Sequence, residues 1–140
     1  MIRPVTRDQI ALVKESFDAL RPIPRGVGRA FYERLFELDP SLRALFTGDL
    51  DAQGSMFVSA LGLAVASLDD QTTGERPLRD LGQRHAAYGI TDAHFATFRE
   101  ALVATLRSRL GAAFTEAHAA AWRVAFDRIG AVMRDGAGRP

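Results

Sequence analysis

The chain has 140 residues, a net charge of +1 and no cysteine. That size fits one domain with a real core. The charge gives no field for nucleic acid or a membrane surface. The missing thiols exclude disulfides, thiolate metal sites and cysteine nucleophiles. Apolar residues make up 47% and charged residues 25%, an ordinary globular balance. Nearly all the positive charge is arginine, Lys14 being the sole lysine. Met1 to Asp8 is polar and unlike a secretory leader, and Met56 to Leu68 is too short to span a bilayer, so a cytoplasmic protein is expected.

In chain order, Thr6 with Gln9 reads as a capping box for a first helix carrying Ile10, Val13 and Phe17. Pro22 and Pro24 break it. A second helix is expected from about Pro24 to Leu38, with Val27, Phe31, Leu35 and Leu38 on one face, ending at Asp39-Pro40. A short turn over Pro40 to Phe46 and the polar stretch Thr47 to Asp51 lead into a long helix, about Ala52 to Leu68. After a polar loop, Pro77 to Tyr88 reads as a helix with Pro77 at its first position and Gly89 as its cap. Thr91 and Thr115 read as N-caps of helices over Asp92 to Leu110 and Glu116 to Arg134. The first carries Phe95, Phe98, Leu102 and Leu106; the second carries Trp122, Phe126, Ile129 and Met133. Asp135 to Pro140 reads as a frayed tail. No strand pattern and no repeat occurs. The expectation is one all-α domain over 1–140, with its core in 6–134 and helices crossing around a pocket rather than an even four-helix bundle.

His85 falls four residues after Leu81 and seven after Leu78, on the apolar face of its helix. Spacing alone leaves two readings, a core histidine bonded to a backbone carbonyl or a metal ligand, and no second ligand stands at metal spacing on this helix. The surrounding segment, Leu81-Gly82-Gln83-Arg84-His85-Ala86-Ala87-Tyr88-Gly89-Ile90, resembles the proximal-histidine segment of globins. Three further segments resemble the same family in the same order: Phe31 to Phe36 with Asp39-Pro40 and Leu45-Phe46, Leu110 to Thr115, and Ala120 to Trp122. The likeness runs from about residue 6 to 134, and is nearest to single-domain bacterial globins similar to neuroglobin and to the globin domain of flavohaemoglobins.

The resemblance implies a three-on-three globin fold around haem b, iron protoporphyrin IX, with His85 as the axial ligand. One histidine suffices there because the porphyrin supplies four nitrogens. Its second ring nitrogen would donate to a carbonyl one turn back, that of Leu81. Across the haem, Gln53 or, with the register moved by one, Gly54 matches the position of the distal histidine of many globins, and Phe57 matches the bulky apolar position over the iron. Tyr32 resembles the distal tyrosine whose hydroxyl donates to bound dioxygen. Phe46 resembles the phenylalanine wedged against haem. Phe36, Leu61, Leu81, Tyr88, Ile90, Phe95, Phe98 and Leu102 are candidates for the pocket wall, and Arg84 for a haem propionate. Each has a plainer reading as core or, for Arg84 and Gln53, as a solvated side chain. Phe95 stands where flavohaemoglobins carry a proximal tyrosine, and no glutamate follows in Asp135 to Ala137. The implied ligands are dioxygen, carbon monoxide and nitric oxide. The implied function is reversible gas binding, with nitric oxide dioxygenation through a separate reductase, or gas sensing, as alternatives. No phosphate loop, nucleophile elbow or zinc helix motif occurs.

Overall fold

The computed structural model describes residues 4–20, 26–46, 48–69, 76–87 and 91–136, and for 77, 85–87 and 92 the helical backbone alone. Six α-helices carry these residues: α1 Arg7–Ala19, α2 Val27–Leu38, α3 Leu50–Ser67, α4 Arg76–Ala87, α5 Asp92–Leu110 and α6 Glu116–Gly136. Short 3-10 helices cover Pro40–Leu45 and Gly111–Ala113. Five of these starts and stops follow local chemistry. The Thr6 hydroxyl accepts from the Gln9 N–H at 3.2 Å while the Thr6 N–H donates to Gln9 Oε1 at 3.0 Å, the reciprocal box expected for α1. Asp39 and Asp49 cap the 3-10 helix and α3. At α5 and α6 a histidine takes the place of Gln9. The N–H groups of Thr91 and Thr115 donate to Nδ1 of His94 and His118 at 3.0 and 3.1 Å.

Several expected boundaries move. α2 begins at Val27 after Gly26, whose φ of 81° suits only glycine, and Pro24 lies outside the described residues. α6 runs through Asp135 and Gly136 instead of fraying. Asp135 pairs with Arg79, and the Gln83 side-chain amide donates to the Gly136 carbonyl at 3.1 Å, so contacts with α4 hold the last turn. α4 takes in Arg76, which puts Pro77 one place inside the helix start; Gly89, its expected cap, lies outside the described residues.

The helices form two layers. α2, α5 and α6 lie side by side; α3 rests on α2, while α1 and α4 rest on α6. This is the three-on-three arrangement expected. Glycines allow the two closest crossings. A Cβ on Gly54 would meet the backbone of Gly28 and Arg29 at 2.8 to 2.9 Å, and one on Gly82 would run into the Met133 carbonyl. Between the layers Leu35, Leu42, Leu78, Leu102, Leu106 and Val132 are buried. So is Trp122, whose indole donates to Ser16 Oγ at 2.7 Å while that hydroxyl donates to the Leu12 carbonyl at 2.8 Å. This pair ties α6 to α1 with its polar atoms satisfied. Leu38, expected on the buried face of α2, is 47% exposed, because it is the last helical residue and overhangs the turn at Asp39.

Candidate functional site

The site is built from aromatic side chains on α2, α3, α5 and the turn before α3. Phe31 and Tyr32 leave α2 side by side. Phe57 of α3 stacks on Phe31 at 3.9 Å between centroids, with 7° between planes, and meets Tyr32 edge-on at 6.1 Å. Phe46 lies 5.1 Å from Tyr32 and 6.3 Å from Phe98, and Phe98 stands edge-on to Phe95 at 6.3 Å. Tyr32, Phe57, Phe46, Phe98 and Phe95, five of the residues expected at the site, are thus brought into one aromatic wall. Phe36 and Leu61 are buried in the same core, and Leu81 is partly buried against it.

Two polar side chains on these elements bear on what the wall could hold. Tyr32 is 7% exposed, and its hydroxyl makes no hydrogen bond among the described residues. Burial pushes its phenol pKa up to about 12, so at neutral pH the group is a proton donor. Gln53 Oε1 is the one buried side-chain nitrogen or oxygen among the described residues that has no partner. A buried acceptor left unpaired costs about 1–3 kcal/mol, and native structures hold few of them. An aromatic wall that includes a tyrosine hydroxyl, with one buried acceptor left without a partner a turn before Phe57, fits a flat apolar ligand that brings a small polar group with it.

At the crossing of α2 and α3, Gly54 packs on the backbone of Gly28, and Gln53 stands one turn before Phe57 on α3.

Another helix carries the histidine. α4 includes His85 in its backbone. The side chain of His85, its expected bond to the Leu81 carbonyl, and the wall positions Tyr88 and Ile90 lie outside the described residues. Arg84 is exposed on α4. Among the described residues no three His, Asp or Glu side chains gather as a metal site, and no helix is long and apolar enough to cross a membrane.

Two features were missed from the sequence. Phe31, placed only as a core residue of α2, forms the closest ring contact of the wall. Arg134 lays its guanidinium 5.4 Å over the Phe95 ring, a cation–π contact. Phe31 could have been found from its adjacency to Tyr32. Arg134 could not, because it depends on how α6 passes α5.

Comparison with known proteins agrees with this geometry. A family model described as Globin matches residues 29–133. Neuroglobin of Danio rerio is 31% identical, covering 89% of this chain and 87% of its own length. Leghemoglobin-1 of Lupinus luteus is 28% identical, with 93% and 94% covered. A protein named anaerobic nitrite reductase HBII, from Casuarina glauca, is 27% identical, with 94% and 92% covered. With the crossing helices, the aromatic wall and this likeness along nearly its whole length, the chain belongs to the globin family.

Proposed function

We propose that the protein binds haem b through His85 and reversibly binds dioxygen and related diatomic gases beside Tyr32, Gln53 and Phe57. The observation that carries this reading is the buried Gln53 Oε1 without a partner, one turn before the Phe57 ring that meets Tyr32. A folded chain bears such a cost at a place where a ligand satisfies the group.

In this reading Phe46, Phe57, Leu61, Leu81, Phe95 and Phe98, joined by Tyr88 and Ile90, would hold the porphyrin, and Arg84 would pair with a propionate. The group supplies, when bound, a ferrous centre that takes up the gas. The chain supplies the rest. The Tyr32 hydroxyl donates to dioxygen, which carries partial negative charge when bound and carbon monoxide much less. A hydrogen bond to such an acceptor contributes about 1.5–3 kcal/mol, or roughly ten- to a hundred-fold slower release. The phenylalanines keep water out, which strengthens that bond. The tyrosine and glutamine pairing is the point of likeness to single-domain bacterial globins, and a cytoplasmic setting belongs to the same proposal.

A second reading is favoured by the relative named anaerobic nitrite reductase HBII: redox turnover of a small nitrogen oxide, nitric oxide dioxygenation included, which would draw its electrons from a separate reductase. The two readings differ in the rate of reduction, not in the pocket.

The deciding experiment is the visible spectrum of the purified protein, ferric, ferrous, and ferrous with carbon monoxide. A Soret band that moves on reduction and again with carbon monoxide is expected. No Soret band after adding haem would overturn the reading and return His85 to a core role.

A further inference from the structure

The turn that leads into α3 puts a glycine against the one orphaned amide of the site. Gly48 is exposed, and its φ is not in the left-handed range, so its backbone does not call for glycine. The space beside it is taken by the movable end of the Gln53 side chain. A Cβ on Gly48 would lie 2.9 Å from Nε2 of Gln53, well inside the separation at which non-bonded atoms attract. The two residues are held in this relation by backbone: Asp49, next to Gly48, accepts from the Asp51 N–H through its side chain and from the Gln53 N–H through its carbonyl, both at 3.0 Å. The Gln53 carboxamide therefore reaches from the turn to the interior, its nitrogen against Gly48 and its oxygen buried without a partner.

From this geometry we propose that Gly48 is a positioning residue for the gas site, setting how far the Gln53 carboxamide projects into it. The inference rests on the reading that the Tyr32–Phe57 face receives the gas. Any side chain at position 48 moves the amide nitrogen by several tenths of an ångström. The polarity met by the ligand then changes with no change in a residue that touches it. A single position in a surface turn thereby tunes gas release.

The test is a double-mutant cycle of Gly48→Ala with Gln53→Leu. The expected result is a change of about threefold or more in dioxygen dissociation rate on Gly48→Ala with Gln53 present, which vanishes with Gln53→Leu. The carbon monoxide stretching band is expected to shift in the same pattern. A cycle with no coupling in either measurement overturns the proposal. A third readout needs no haem: in the haem-free protein Gly48→Ala should displace the side-chain NH2 resonances of Gln53, and unmoved resonances also refute the contact. Absence of haem uptake in all variants, with displaced resonances, would count against the gas-binding reading and not against the Gly48–Gln53 contact.

Discussion

Replacing Gly54 by alanine sets the α2–α3 crossing against helix propensity within a single helix. The added Cβ would meet the Gly28 carbonyl carbon at 2.8 Å and Gly28 Cα and Arg29 N at 2.9 Å. Backbone cannot rotate away as a side chain can. α2 must retreat by about 0.7 Å to restore contact distance, and overpacking of this kind costs about 2–3 kcal/mol. Gly62 lies two turns further along the same helix, where a Cβ would stand at an ordinary 3.5 Å from the Phe17 ring. There alanine should stabilise by about 0.5–1 kcal/mol through the entropy that glycine loses on folding. Thermal unfolding separates the two variants, since a chain of this length shifts by about 3–4 °C per kcal/mol. Gly54→Ala should melt about 6–12 °C below the parent and Gly62→Ala about 2–4 °C above it. Retreat of α2 also carries Tyr32 away from Phe57, so Gly54→Ala should alter dioxygen release while Gly62→Ala leaves it alone. Equal melting temperatures for the two variants would refute the crossing argument.

Tyr32→Phe should speed dioxygen dissociation about tenfold or more and change carbon monoxide dissociation little; flash photolysis or stopped flow reads both, and equal effects on the two gases would remove the hydroxyl from its assigned role. Tyr32 also gives a pH dependence. Its folded pKa, about 12, lies above that of an exposed tyrosine near 10. Its contribution to stability is present below pH 10 and lost as pH rises through 12. Urea titrations between pH 9 and 12 should show a loss that is smaller in Tyr32→Phe. His85→Ala should abolish tight haem retention or shift the Soret band; an unchanged spectrum would refute His85 as the ligand.

Much of this arrangement is legible because the signals are local. The Thr6–Gln9 box, Asp39-Pro40, and Thr91 and Thr115 fix helix starts within a few residues of chain. Periodicity likewise puts Phe95, Phe98 and Leu102 on the buried face of α5, and all three are buried. What escapes is set by contacts between distant segments. The last turn of α6 looks frayed until Arg79 and Gln83 arrive from α4. The close packing of Gly54 on Gly28 depends on where α2 crosses α3. Arg134 over Phe95 has no sequence signature. Of the site, the Tyr32–Phe57 wall follows from residue type and spacing, whereas the closeness of Gly48 to Gln53 depends on a turn whose length carries no pattern.

Trp122 is the only tryptophan, it is 1% exposed, and its indole nitrogen is held by Ser16. The chain therefore contains its own optical reporter. One fluorophore in one fixed, dry environment should emit at short wavelength in the folded haem-free protein and shift to the red when α1 and α6 part. Energy transfer to a strongly absorbing porphyrin in the same small domain should quench it. A single fluorescence trace would then follow both folding and cofactor uptake, and the order of the two events, with no label attached.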